Sequence, residues 1–135
     1  MLAPIVALVA WTLVVWAWMY ATRLPAIARV KMQLDPHAPR GEQMATLPAK
    51  VRWKADNYNH LMEMPTIFYA VALVLAVSGA ATDTDVTLAW TYVGLRVVHS
   101  LWQGIVNDIK VRFVLFLSSS IVVVALTVRA AMAVW

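Results

Sequence analysis

The sequence of 135 residues is 62% hydrophobic and only 13% charged, about half the charged fraction of an average soluble domain, which excludes an ordinary water-soluble domain. The net charge of +4 comes from basic residues in and beside two connecting segments, not from a basic patch interleaved with aromatic residues, so nothing indicates nucleic-acid binding. The absence of cysteine excludes disulfides, a cysteine nucleophile and cysteine-ligated metal sites.

Four stretches of the sequence are long and apolar enough to cross a bilayer, which takes about 20 helical residues. Residues 1–22 and 64–82 contain no charged side chain, and residues 86–107 and 113–135 contain one arginine each. Short connections after the second and third stretches favour antiparallel neighbours. We therefore predict an all-α fold, a single domain over residues 1–135 that forms an integral membrane four-helix up-down bundle. The predicted spans cover about residues 2–22, 51–79, 86–107 and 112–134.

The first span is expected to end before Pro25, because a proline inside a helix removes a backbone hydrogen bond. Its apolar run is longer than the roughly 7–15 residues of a signal-peptide core, so we interpret it as a span. The connection of about residues 25–50 contains four prolines and Gly41, a composition typical of turns. Within it, Ala26–Gln33 is a candidate interfacial helix.

Charge is distributed unevenly over the connections. Basic residues lie in and beside residues 25–50 and in the connection before the fourth span, whereas residues 80–85 contain two aspartates and no basic residue. By the positive-inside rule, the two basic connections face the cytoplasm and both termini face the non-cytoplasmic side. We expect a multi-pass protein of the cell (inner) membrane, with the lipid bilayer as its partner.

The second span begins with polar turns that share one helical face. The spacing i, i+4, i+7, i+8 and i+11 relates Arg52, Asp56, Asn59, His60 and Glu63. Pro65 predicts a kink just beyond them. Two interpretations remain open, since these residues either solvate a helix end among the headgroups or form a ligand-binding face. Glu63 lies deepest, and a carboxylate in the membrane needs a partner, for which Arg96 and His60 are the candidates.

The third span carries a polar stripe at steps of three and four residues, formed by Arg96, His99, Gln103, Asn107 and Lys110. Lipid rejects such a face, so the stripe faces protein, water or a ligand. Arg96 in mid-span is costly unless it is paired, either in a structural ion pair with Glu63 or at an anion or polar-ligand site. His99 is a hydrogen-bonding core residue, a proton donor or acceptor, or a ligand contact.

Lys110 and Arg112 precede the fourth span. They are either positive-inside anchors or the residues that meet a soluble anion arriving from the cytoplasm. Arg129, near the end of that span, is expected to snorkel to the outer interface. The histidines lack a metal-ligand spacing such as HxxxH, so no metal site is expected.

Two motifs at matching places in the chain resemble the MAPEG family, the membrane-associated proteins in eicosanoid and glutathione metabolism. Glu63–Pro65 followed by Ile67–Ala70 resembles the family's second helix, and Gly94–Ser100, Asn107 and Val111–Phe113 resemble its third helix and the start of its fourth. The resemblance implies a homotrimer of four-helix protomers. It also implies that glutathione binds between protomers near the cytoplasmic face, and that a small hydrophobic co-substrate arrives from the lipid.

The resemblance implies roles for individual residues as well. It matches Arg96, Lys110 and Arg112 to catalytic cations, the last two near the basic residue that lowers the pKa of the glutathione thiol. It matches Glu63 to the acceptor for the glutathione amine, and places Arg23 within reach of a glutathione carboxylate. The glutathione-binding residues expected on this basis are Arg23, Arg52, Asn59, His60, Glu63, His99, Gln103 and Asn107.

Three positions depart from the synthases of the family. Asp56 and Asn59 stand where those enzymes have arginines, and Gln103 stands where they have a tyrosine.

The predicted function is a membrane-bound glutathione transferase or peroxidase-like enzyme that acts on a hydrophobic electrophile or a lipid hydroperoxide. The alternatives are a non-catalytic lipid- or partner-binding membrane protein on the same scaffold, and a transporter or proton pathway, for which four spans without internal repeats are few.

Overall fold

The computed structural model describes all 135 residues, Met1–Trp135, and contains helices but no strands. Its helices in chain order are α1 (Leu2–Arg29), α2 (Glu42–Ala45), α3 (Ala49–Leu61), α4 (Met64–Val77), α5 (Asp83–Ile105) and α6 (Ile109–Val134). The helices α3 and α4 follow one another as the two parts of one broken span. The predicted all-α membrane bundle is confirmed.

Three segments are long and apolar enough to cross a membrane, namely α1, the Ala49–Val77 segment that comprises α3 and α4, and α6. The helix α5 has 23 residues, which is also sufficient length, but its polar side chains lower its hydropathy. It packs against α1, α3 and α6, so neighbouring helices shield those polar side chains from lipid. The protein is a multi-pass membrane protein.

The helix α1 continues through Pro25 and ends at Arg29, later than the sequence suggests. Pro25 removes the hydrogen bond to the carbonyl of Ala21, and because Ala21 is exposed, that carbonyl is open to water or lipid headgroups. The residues after Pro25 therefore extend α1 instead of forming a separate interfacial helix. The chain then turns at Lys31, whose φ is 49°.

The second span is interrupted, whereas its sequence suggests one kinked helix. The helix α3 ends at Leu61 and α4 begins at Met64, with Glu63 as the N-cap of α4 at φ −94° and ψ −99°. Pro65 falls in the first turn of α4, where its missing N–H costs no helical hydrogen bond. The proline thus starts a new helix, and side chains before and after the break do not share one helical face.

The buried interior is apolar in one half of the bundle and polar in the other. The apolar core is formed by Leu8, Phe68, Ala72, Leu75, Ala89, Tyr92, Val93, Val123, Leu126 and Ala130. Its centre contains stacked Phe68 and Tyr92 rings with centroids 4.5 Å apart. The buried polar side chains that lie where α3 meets the second half of α5 are Asn57, Arg96, His99, Ser100 and Gln103. This polar half positions the candidate site.

The opposite end of α5 is fixed by buried Asp85. This aspartate forms a capping box with Thr82 and a salt bridge with Arg129 of α6. Arg129 Nη2 also donates a hydrogen bond of 2.9 Å to the Thr82 hydroxyl oxygen. Arg129 therefore pairs with Asp85, because α5 places a carboxylate within its reach, while its side chain stays 38% exposed.

Candidate functional site

Arg96 lies in the middle of α5, and only 1% of its surface is exposed. Its Nη2 donates a hydrogen bond of 3.1 Å to the backbone carbonyl of His60. That carbonyl lies in the last turn of α3, where its only backbone partner is the N–H of Glu63 at 3.4 Å. The arginine charge therefore faces the C-terminal end of a helix, where a cation is favoured. The end of α3, not a carboxylate, compensates the buried charge.

The side chain of His60 lies between Arg96 and Glu63. Arg96 Nη1 is 3.4 Å from His60 Nε2, and because a guanidinium only donates, Nε2 is the acceptor. The ring proton is then on Nδ1, which lies 3.3 Å from Glu63 Oε2. The two contacts assign one neutral tautomer to His60 and occupy both of its ring nitrogens.

Glu63 is on the surface, with 68% of its side chain exposed. The only salt bridges in the structure are His60–Glu63 and Asp85–Arg129, so Glu63 forms none with Arg96. Of the two partners that the sequence suggests for Glu63, the structure shows His60 and not Arg96, and Glu63 is exposed where the sequence suggests burial. The break before Glu63 moves this side chain off the polar face of α3 and leaves His60 facing α5.

A cavity of about 370 Å³ opens beside His60, and we call it the His99 cavity. Its lining residues are His60, His99, Ile109, Arg112, Phe113 and Phe116. The ring of His99 is buried, its centroid 4.7 Å from that of His60, and neither of its nitrogens has a hydrogen-bond partner. An unpaired buried polar atom costs about 1–3 kcal/mol, so the His99 ring is held in the bundle at a cost to stability.

Arg112 is held in the wall of the His99 cavity by Asn107. Arg112 Nη1 donates a hydrogen bond of 2.7 Å to Asn107 Oδ1, and its buried Nε has no partner. Asn107 has a φ of 61°, a left-handed conformation that asparagine tolerates better than most residues. Lys110 is exposed and does not line this cavity. The structure thus distinguishes Arg112, which lines the cavity, from Lys110, which does not, whereas the sequence suggests the same role for both.

Two buried amides lie in the same polar half of the bundle. Gln103 is 2% exposed, and its Oε1 has no partner, but it does not line the His99 cavity. Asn57, which the sequence reasoning did not select, donates a hydrogen bond of 3.0 Å from Nδ2 to the carbonyl of Ser100. Its spacing of three residues from His60 is the signal that identifies it, because i and i+3 side chains share a helical face.

The remaining predicted residues line a different cavity of about 420 Å³ next to α1, α2 and α3, and we call it the arginine cavity. Arg23, Arg52, Asp56 and Asn59 meet there. Arg40 joins them from the connection before α2; helical periodicity does not reveal such a loop contact. None of the three arginines forms a salt bridge. The predicted glutathione-binding residues are therefore divided between the two cavities, and Glu63, Gln103 and Asn107 line neither.

Comparison with known families gives one result. The model of the MAPEG family matches residues 1–132 of the 135 residues in the chain. Comparisons with curated proteins and with solved structures find no match. The family match spans both motifs on which the sequence resemblance rests, and the helical membrane bundle is consistent with it. The resemblance is confirmed, and the chain belongs to the MAPEG family.

Proposed function

We propose that the protein is a membrane-bound glutathione transferase or peroxidase-like enzyme that acts on a hydrophobic electrophile or a lipid hydroperoxide. The observation that carries this proposal is the His99 cavity, which combines a buried imidazole, the guanidinium of Arg112 and phenylalanine side chains in one wall. Such a lining suits a reaction between an anionic sulfur and an apolar partner. Membership of a family associated with glutathione supports the same reaction class.

Arg112 is the cation best placed to activate a thiol in the His99 cavity. A positive charge near a thiol favours the thiolate and lowers the pKa of the thiol. Asn107 fixes one guanidinium nitrogen of Arg112, and Arg112 lines the cavity, so its positive charge lies near a sulfur bound there. In this proposal Arg112 stabilises the glutathione thiolate, and exposed Lys110 supplies a weaker, water-screened contribution.

The charged ends of glutathione match the charges around the arginine cavity. Glutathione carries two carboxylates and one amine, and the cavity presents three arginines beside Asp56. We assign Arg23, Arg52 and Asn59 to the carboxylates, because guanidinium and amide groups donate hydrogen bonds to them. Exposed Glu63 is the proposed acceptor for the amine. The amides Gln103 and Asn107 complete the proposed glutathione-binding set together with His60 and His99.

Arg96 is assigned a supporting role. It does not line the His99 cavity, and its two guanidinium contacts both go to His60. We therefore propose that Arg96 acts on the reaction through the position and tautomer of His60, and does not touch the sulfur itself.

The hydrophobic co-substrate is proposed to enter from the lipid. Ile109 and Phe113, which line the His99 cavity, are 76% and 62% exposed. Apolar side chains also cover the outer surfaces of α1 and α6, which suits contact with lipid and with neighbouring protomers of the proposed homotrimer. We place the protein in the cell (inner) membrane, with both basic connections in the cytoplasm and both termini on the opposite side.

The test of this proposal is thiolate formation followed by conjugation. Glutathione mixed with purified protein in a stopped-flow instrument should produce the ultraviolet absorbance of a thiolate, and 1-chloro-2,4-dinitrobenzene should then be conjugated above the uncatalysed rate. An absent thiolate signal, together with no conjugation and no hydroperoxide reduction, would refute enzymatic glutathione use.

The second candidate function is non-catalytic binding of a lipid or partner on the same scaffold. Asp56 favours it, because this carboxylate lies among the arginines of the arginine cavity and repels the carboxylates of glutathione. Native mass spectrometry of protein purified in mild detergent tests this alternative. A retained lipid without turnover supports it, whereas turnover without a retained lipid refutes it.

A further inference from the structure

The connection between α1 and α3 forms one wall of the arginine cavity. It supplies Arg40 and Gly41 from the turn before α2, and Met44 and Ala45 from α2 itself. The other walls come from α1 and α3. A ligand in this cavity therefore touches a segment that lies outside the membrane-spanning helices.

Hydrogen bonds within the connection hold this wall in place. Gln43 Nε2 donates to the carbonyl of Gln33 at 2.7 Å, and Gln43 Oε1 accepts from the N–H of Asp35 at 3.1 Å. Leu47, which follows α2, is only 3% exposed and anchors the segment against the bundle. A segment braced in this way loses little conformational freedom when a ligand binds to it.

Arg40 is the second residue of a tight turn that comprises Pro39–Glu42. The N–H of Glu42 donates to the carbonyl of Pro39 at 3.1 Å. Gly41, in the third position, has a φ of 84° and a ψ of −14°, which are the values of a type II turn. Glycine adopts this conformation without steric cost. The turn thus gives Arg40 a defined place at the edge of the cavity.

The charge of the arginine cavity is not balanced within the protein. Its three arginines and Asp56 are its only charged lining residues, so three positive charges less one negative leave a net charge of +2. The arginines that donate side-chain hydrogen bonds in the protein are Arg96, Arg112 and Arg129, and none of these lines the arginine cavity. The net charge matches two carboxylates only when Arg40 contributes.

We infer that Arg40 binds the glycine carboxylate of glutathione and makes the site selective for ligands with two carboxylates. The inference rests on the proposed function and deepens it, because it adds to the binding set a residue from outside the membrane spans. It also assigns a role to the third arginine, which offsets the repulsion between Asp56 and a bound carboxylate.

The order of residues along α3 indicates which carboxylate Arg40 meets. The amine and the glutamyl carboxylate of glutathione share one carbon atom, and Glu63, the proposed acceptor of the amine, follows Asn59 by four residues. The glutamyl carboxylate therefore belongs at the Asn59 end of the cavity. Arg52 lies about two helical turns, roughly 10 Å, from Asn59. Because only residues 46–48 separate α2 from the start of α3, the connection that bears Arg40 lies at the Arg52 end.

The experiment measures the binding of two ligands to the purified protein at low ionic strength, where exposed charges are least screened. Isothermal titration calorimetry is carried out with glutathione and with its glycine monoethyl ester, which lacks one negative charge and keeps the other groups of the tripeptide. Wild type, Arg40→Gln and Arg29→Gln are compared. Arg29→Gln is the matched control, because Arg29 is also exposed but does not line the arginine cavity.

Wild type should bind glutathione about tenfold more tightly than the ester, the effect of one hydrogen bond to a charged group. Arg40→Gln should weaken glutathione binding about tenfold and ester binding at most about twofold, because the variant and the ester remove the two partners of one contact. Arg29→Gln should keep the wild-type preference. Equal losses for both ligands in Arg40→Gln, or an unchanged preference, would overturn the inference alone. A wild type that binds neither ligand overturns the proposed function, and the inference with it.

Discussion

The side-chain amide of Asn57 donates a hydrogen bond of 3.0 Å to the backbone carbonyl of Ser100. This bond connects α3 to α5 inside the polar half of the bundle, and both residues are at most 2% exposed. Ser100 directly follows His99 along the chain, so the bond fixes the height at which α5 lies against α3. The geometry of the His60–His99 contact therefore depends on Asn57, although Asn57 does not line the His99 cavity.

Replacing Asn57 with leucine should destabilise the protein. The substitution leaves the Ser100 carbonyl without its side-chain donor, and an unsatisfied buried group costs about 1–3 kcal/mol. Thermal unfolding in detergent, followed by circular dichroism, measures the change. Asn59→Leu is the control, because Asn59 is exposed on the same helix and has no side-chain hydrogen bond to α5. Equal melting temperatures for the two variants would contradict the buried role of Asn57.

The free energies of unfolding for Arg96 and His60 variants should be strongly coupled. Arg96→Leu removes both contacts with His60, whereas His60→Phe removes only the one to its ring nitrogen. Because both variants remove that shared contact, the double variant should be less destabilised than the sum by about 0.5–3 kcal/mol. The same cycle with Arg96→Leu and Glu63→Gln should show a much smaller coupling energy, because Glu63 does not touch Arg96. Denaturant titration in mixed micelles provides the values. A larger coupling of Arg96 to Glu63 than to His60 would show that the arginine pairs with the carboxylate after all.

Arg112→Ala should reduce thiolate formation more than Lys110→Ala. Loss of a cation beside the sulfur raises the pKa of the bound thiol by about one unit or more, so the thiolate fraction near neutral pH falls roughly tenfold. The deficit should disappear as the pH rises above the raised thiol pKa, because both proteins then hold thiolate. Thiolate absorbance measured between pH 6 and pH 10 tests this. Similar losses in both variants, or a loss that persists at high pH, would count against Arg112 as the stabilising cation.

Helical periodicity was sufficient to locate the polar half of the bundle. The steps of three and four residues from Arg96 through His99 to Gln103 place these side chains on one face, and all three are buried. The periodicity fails at Lys110, because α5 ends at Ile105 and the left-handed residue Asn107 redirects the chain. A polar stripe that is extrapolated past the end of its helix therefore includes residues, such as Lys110, whose surroundings differ from those of the helical residues.

The partner of Arg96 was not predictable from spacing alone. Glu63 has the right periodicity for the polar face of α3 only if the helix continues through it, and the break at this residue changes the direction of its side chain. Pro65 signals a disturbance, but a proline is compatible with a kinked helix as well as with a new helix start. The approach of Arg40 to the arginine cavity depends on the path of a non-helical connection, for which no periodic signal exists.

Gly104 allows close contact between α5 and α1, and replacing it with alanine should lower stability. A Cβ atom there would lie 2.7 Å from Cζ3 and 2.8 Å from Cη2 of Trp18, so the whole indole ring would have to shift. Overpacking of this kind costs about 1–3 kcal/mol, against a gain of about 1 kcal/mol from the higher helix propensity of alanine. Gly94→Ala is the matched control on the same helix, since a Cβ there meets nothing within 4 Å. Its melting temperature should stay constant or rise, while that of Gly104→Ala falls. If both substitutions raise the melting temperature, Trp18 does not pack against Gly104 and the α1–α5 contact must differ from the one described.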